Sequence, residues 1–260
     1  MSTKITAELV KELRDATGVS VMQCKNALEE AEGDMDKALI ILKKISSNIA
    51  LKKAERNAKD GIVVVRQKDN HGLILTLHCE TDFVAKNEDF INLANSLADS
   101  AINEGVDKMK ENSSEMINTV IQKVGEKIEI GNIAEIEGDI LNNYVHNNKA
   151  AVIVALNKGT EELAKDIAMH IAAMKPAYVK KEDIRDEDKV KVVEVFQKEV
   201  EESGKEEDIK KKMLEGKINT YFKEQTLMDQ MFIKDQNISI EKLLSDNGAE
   251  FSSFIHVSII

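Results

Sequence analysis

At 260 residues and 42% hydrophobic content, the chain has enough apolar material for two or three domains with cores of their own. A net charge of −11, with 4% aromatic residues and no tryptophan, argues against a basic, base-stacking nucleic-acid binder. No apolar run reaches the roughly 20 residues of a membrane span, no signal-peptide core opens the sequence, and Cys24 and Cys79 lack disulfide or metal spacing. The composition therefore reads as a cytoplasmic protein with free thiols, no cofactor and no metal, whose partner is another protein. Residues 1–60 hold 11 basic and 10 acidic side chains, a net of +1, so the remaining 200 residues carry a net −12.

In chain order, Thr6 caps a first helix through Leu9, Leu13 and Ala16 that stops at Thr17-Gly18. A second helix buries Cys24, Ala27, Leu28 and Ala31 at i, i+3, i+4, i+7, and a third, opening at Asp34, buries Met35, Ala38, Leu39 and Leu42 with the same spacing. Val19, Val21 and Met22 fall in the connection between the first two helices. So small a unit is marginal alone and leans on a neighbour. A polar linker over 46–60 follows, carrying Lys52, Lys53, Arg56 and Lys59.

Residues 62–66 and 73–77 alternate as strands around the turn Lys68-Asp69-Asn70, and a helix follows with Leu93, Ala94, Leu97 and Ala98. A helix over 109–125 and a strand over 128–136 lead to a second copy of this plan. Its strand carries Val152, Val154 and Leu156, its helix Ile167, Ala168, Ile171 and Ala172, and it ends at Lys175-Pro176, the single proline. The two turns align with an offset of 78 and the two helices with an offset of 74, so the first copy's strand-to-helix loop is four residues longer. That loop holds Cys79-Glu80-Thr81-Asp82-Phe83-Val84-Ala85-Lys86. A loop longer than its own duplicate needs, with a phenylalanine in it, reads as an element for a partner.

From 182 to 225 the chain becomes highly charged, with narrow apolar stripes at Val193, Phe196, Val200 and at Ile209, Met213, Tyr221 on either side of Ser203-Gly204-Lys205. This is a projecting antiparallel helical hairpin. An apolar patch over 227–233, a short helix over 240–244 and a final strand over 254–260 complete the chain. The fold class is α+β: an N-terminal three-helix domain that resembles ubiquitin-associated modules (1–55 with its linker), a duplicated antiparallel sheet-plus-helix core (56–139, then 140–181 with 225–260), and the hairpin inserted at 182–224.

Three stretches together resemble the elongation factor Ts family. Leu13-Arg14-Asp15-Ala16-Thr17-Gly18 with Lys25-Asn26-Ala27-Leu28 is similar to its N-terminal signature, Thr81-Asp82-Phe83-Val84-Ala85-Lys86 to its second, and residues 166–176 to a later motif. Leu77-His78 stands where the family usually has valine and asparagine, and Asp229-Gln230-Met231-Phe232 has methionine where proline is common. The sequence stops just past its last core strand, so contacts made by the C-terminal helical module of longer relatives are not transferred. The resemblance implies a noncatalytic factor that binds elongation factor Tu in its GDP state and promotes release of Mg²⁺ and GDP, in a one-to-one or two-to-two complex.

The same resemblance assigns an exchange loop, Thr81, Asp82, Phe83 and Val84. It assigns further partner contacts to Arg14, Val21, Met22, Lys25, Lys53, His146 and Ile233. Residue by residue, plainer readings stand beside these: Phe83 as a core anchor under the next helix, Asp82 as a helix N-cap, Met22 as core, Lys53 and His146 as surface residues. His170 reads as structural. A second function is a binding adaptor that uses the three-helix module, which leaves the duplication and the long loop unexplained. An enzyme is disfavoured, because the chain has no phosphate-cradling glycine loop and no convergent nucleophile and base.

Overall fold

The computed structural model describes residues 5–259 and is an α+β protein in which helices and strands alternate in blocks. Helices α1 (Ala7–Thr17), α2 (Val21–Glu30) and α3 (Met35–Lys53) open the chain. Thr6, Ser20 and Asp34 cap them, each accepting a backbone N–H of the first turn. Leu13, Cys24, Ala27, Leu28, Ala38 and Leu42 form their common core. Two expectations need correction here. Val21 and Met22 lie in the first turn of α2 rather than in the connection, because Ser20 supplies the cap one residue earlier. The lysine-rich stretch expected to be a linker continues α3 to Lys53, because Ser46, Ile49 and Ala50 prolong a buried stripe on that helix.

Strands β1 (Asp60–Lys68) and β2 (His71–Cys79) pair antiparallel in a hairpin with Val64 opposite Leu75, and β3 (Glu129–Glu137) lies beside β2. Ile62, Val64, Leu73, Leu75 and Leu77 share one face, as the two-residue period of a strand requires. Onto that face packs α5 (Glu88–Glu104), through Phe90, Leu93, Ala94 and Leu97, and α6 (Val106–Val124) packs against α5 and α3, adding Met109, Val120 and Ile121 to the cluster. Burying one such leucine or phenylalanine contributes roughly 1.5–3 kcal/mol, which makes this cluster the anchor for everything attached to β2 and α5.

The later strands β4 (Ile140–His146), β5 (Ala150–Lys158) and β8 (Glu250–Ser258) form a second three-stranded sheet with β5 central. Helix α7 (Glu161–Met174) covers one face of it, with Ile167, Ala168 and Ile171 against Val152, Val154 and Leu156. Helices α8 (Asp186–Glu201) and α9 (Glu207–Gln225) make the charged hairpin. Its core is narrower than the stripes indicate: Val200 and Phe222 are buried, whereas Ile209 is 45% exposed. A two-stranded ribbon absent from the sequence reading follows, β6 (Met231–Phe232) with β7 (Asp235–Ser239), then α10 (Ile240–Asp246). Strand β8 begins at Glu250, earlier than expected, and residue 260 lies outside the described residues. The chain divides into two compact units. One comprises residues up to Glu135 with Val145–Ala151 and the end of β8; the other comprises Ile136–Tyr144 with Val152–His256.

Candidate partner-binding site

Residues 80–87 separate β2 from α5, whereas only residues 159–160 separate β5 from α7. The excess is larger than the four residues read from the sequence for two reasons: the β4–β5 turn holds one residue more than the β1–β2 turn, and α7 starts one residue earlier, relative to its apolar positions, than α5 does. The extra segment is not irregular. It folds into a one-turn helix, α4 (Asp82–Ala85), capped by Thr81, whose extended backbone aims its hydroxyl at the Val84 N–H at 3.5 Å. Lys86 closes the turn on Asp82 at 2.8 Å, and Asn87 caps α5 immediately afterwards. Asp82 is therefore not an N-cap; that position belongs to Thr81.

Within this turn the side chains divide sharply. Val84 and Ala85 are buried in the first sheet's core, while Phe83 is 81% exposed. With about 100° of rotation per residue, burying positions 84 and 85 turns position 83 outward. Phe83 is thus no core anchor, and Val84, grouped with it from the sequence, is a foundation of the turn rather than part of its exposed surface.

The segment before Phe83 is held by polar contacts that the sequence did not reveal. The Glu126 carboxylate, just beyond α6, accepts the N–H groups of Glu80 and Thr81, each at 3.0 Å, and the Thr81 hydroxyl at 2.6 Å. In return the Glu80 carboxylate accepts the Lys127 N–H at 2.6 Å and the Arg56 guanidinium at 3.3 Å. The Lys127 N–H is the main reason that the Glu80 carboxyl sits below its usual value, with Arg56 and Lys53 adding to it against partial burial. The Cys79 thiol donates to the Thr81 carbonyl at 3.2 Å. Burial, with Asp60 and Glu126 nearby, pushes that thiol up to about 12, so it is a structural group and not a nucleophile.

Two other predicted residues connect to this region. Lys53, on the last turn of α3, donates to the Gly125 carbonyl next to Glu126. His146 ends β4 and is exposed; its carbonyl accepts the Lys149 N–H at 2.9 Å. The Lys149 ammonium pairs with Asp60 and donates to the Gly61 carbonyl at 2.8 Å, while the Asn148 carbonyl accepts the Val63 N–H at 2.8 Å. The turn that carries His146 is therefore tied to the start of β1, directly opposite Cys79. The hydrogen bond from Lys149 is the chief cause of a lowered Asp60 carboxyl.

Arg14, Val21 and Lys25 converge on a groove of about 350 Å³ that Ile5 and Val10 also line. Val21 and Met22 are 53% and 65% exposed, so Met22 is not core. Lys123 links this module to the next: its ammonium meets Asp89 in the first turn of α5 at 2.8 Å, and its stem packs against Gly18. Ile233 belongs to the second unit, half-buried in the turn between β6 and β7, where its N–H donates to His170 Nδ1 at 3.3 Å. Nδ1 is thus the acceptor and Nε2 carries the proton toward Gln230 Oε1 at 2.9 Å, which fixes His170 as neutral. Burial lowers its pKa in the same sense.

Glu126, Glu80, Lys127 and Lys123 are the residues sequence reasoning missed. Their hydrogen-bond partners lie 24 to 47 positions away, beyond any periodic signal. Among the described residues no group of three or more histidine, cysteine or carboxylate side chains is placed to hold a metal ion, and no helix is long and apolar enough to cross a membrane.

A family model described as "Elongation factor TS" matches residues 80–259. The chain is 38% identical to elongation factor Ts of Hahella chejuensis over 262 residues, 98% of this chain and 92% of the relative. It is 40% identical to that of Enterobacter sp. strain 638 over 259 residues, with the same coverage, and 38% identical to that of Escherichia coli O139:H28. A match over most of the chain, relatives aligned along nearly their whole length, and the Thr81-Asp82-Phe83 turn itself lead to one assignment: the chain belongs to the elongation factor Ts family.

Proposed function

We propose that this chain is a guanine-nucleotide exchange factor that docks on elongation factor Tu in its GDP state and promotes loss of Mg²⁺ and GDP, so that GTP binds. The reading rests above all on Phe83, a large apolar side chain left 81% exposed on a helical turn whose flanks are buried and hydrogen-bonded. An exchange factor must prefer the nucleotide-free partner, and nucleotide binding must then expel the factor. Moving such a balance from 1:99 to 99:1 takes about 5.5 kcal/mol of differential binding. A side chain presented without freedom to retreat is suited to compete for space near a nucleotide site. Asp82 would perturb the groups around Mg²⁺.

In this reading Arg14, Val21, Met22 and Lys25 dock a ubiquitin-associated-like module on the partner, while His146 and Lys53 add contacts beside the exchange turn. Ile233 adds a contact from the second unit. The two sheet-and-helix layers are a duplicated scaffold, and the factor works in the cytoplasm on a protein partner, forming no covalent intermediate. The test is stopped-flow release of a fluorescent GDP analogue from the cognate elongation factor Tu. Wild type should accelerate release strongly, and Phe83→Ala should lose most of that acceleration with an unchanged circular dichroism spectrum. Unaccelerated release with wild type overturns the exchange reading; full activity of the variant overturns only the role of Phe83.

A further inference from the structure

Glu126 lies outside the exchange turn in sequence, yet it makes three hydrogen bonds to the segment leading into that turn. Its two oxygens take up three donors, the N–H groups of Glu80 and Thr81 and the Thr81 hydroxyl. The Glu80 carboxylate binds back to the Lys127 N–H. Residues 80–81 and 126–127 therefore exchange side-chain and backbone hydrogen bonds in both directions, and a carboxylate acceptor makes each of Glu126's bonds charge-assisted. The N–H groups of 80 and 81 would otherwise be left to solvent at the point where β2 ends and α4 has not begun.

We infer that Glu126 is a positioning residue for exchange: its carboxylate fixes the backbone at Glu80-Thr81 and so sets where Phe83 projects. This rests on the exchange function proposed above. The residue is placed for the task. It follows the glycine that ends α6, a helix whose Met109, Val120 and Ile121 are buried in the first core, so the clamp refers the turn to an anchored helix. In the same core, Val84 and Ala85 fix the far end of the turn. Between these two attachments stand only Asp82 and Phe83, neither of which is buried. Loosening one attachment leaves Phe83 on the protein but no longer in one place, and positional errors of an ångström are known to cost on the order of 100-fold in reactions that depend on orientation.

The experiment measures release of a fluorescent GDP analogue at increasing factor concentration for wild type, Glu126→Ala, Glu126→Gln, Phe83→Ala and the Phe83→Ala/Glu126→Ala pair. Expected is a fall of roughly 10-fold or more in the maximal release rate for Glu126→Ala. A smaller fall is expected for Glu126→Gln, whose carbonyl oxygen still accepts one bond. The half-saturating factor concentration should change less than about twofold, since docking surfaces elsewhere are intact. In the Phe83→Ala background Glu126→Ala should add little, because it acts through that side chain. A maximal rate equal to wild type in Glu126→Ala overturns the inference, as does an effect undiminished by the absence of Phe83. If Glu126→Ala does not fold, Glu126→Gln carries the same cycle. Wild type without activity indicts the exchange function, whereas active wild type, weakened Phe83→Ala and unaffected Glu126 variants indict this inference alone.

Discussion

Phe83 and Val84 are neighbours with opposite duties, and substitution should separate them cleanly. Phe83→Ala removes a side chain already in water and should leave stability within about 0.5 kcal/mol of wild type in urea denaturation. Val84→Ala deletes two buried methyl groups and should cost about 1.5 kcal/mol. Cys79 offers a check on the ground beneath both. With its thiol pushed up to about 12, iodoacetamide at pH 8 should leave it unmodified in the native state and label it after unfolding, as read by intact mass. The exposure of Phe83 was legible from the extra length of its loop. The cap was not, since Thr81 and Asp82 are both good N-cap residues and only the backbone of Thr81 decides between them. Glu126 carried no local signal, because what it binds is backbone from a distant segment.

At the scale of elements, ends proved harder to read than interiors. Helix α3 outruns its apolar stripe as seen in sequence because lysines at its C-terminal end are compatible with both a linker and a helix dipole. Helix α4 and strand β6 are too short for any period to register. The stop after α1, by contrast, was plain, and its left-handed backbone needs glycine. Gly18 has φ +67, and an added Cβ would lie 2.7 Å from Cε of Lys123, the residue that reaches Asp89. Gly18→Ala should therefore cost about 1–2 kcal/mol. Gly216, inside α9, has open space where its Cβ would be, so Gly216→Ala should gain roughly 0.5–1 kcal/mol. Opposite shifts of the urea midpoint from the same chemical change would confirm both; shifts of one sign would refute the pair.

For the molecule as a whole, the α+β class followed from two apolar hairpins, each with a helix behind it. The division into units was less visible, because β3, β4, β5 and β8 each contribute residues to both. That division has a pH consequence. His170 and His256 both lie in the second unit, and burial is the main cause that lowers each from the usual 6.5. The unfolded chain takes up these protons first, so the stability they contribute is complete above pH 6.5 and is lost as pH falls toward their folded values. Asp60, in the first unit, is depressed below the usual 3.8, and its contribution fades only in stronger acid. Amide protection factors measured at pH 7.5 and 5.5 should accordingly fall in α7 and β8 while those in β1 and β2 hold. Equal losses in both units would contradict this order.

The fixed turn around Phe83 also has a calorimetric signature. In the proposed exchange role, a turn that is already folded brings no ordering entropy to the moment of association. If the proposed exchange role holds, binding to the nucleotide-free GTPase shows a heat-capacity decrease in proportion to the apolar surface covered, without the much larger decrease of a segment that folds as it binds. The cost is carried instead by the free protein, which keeps a phenylalanine hydrated whenever it has no partner.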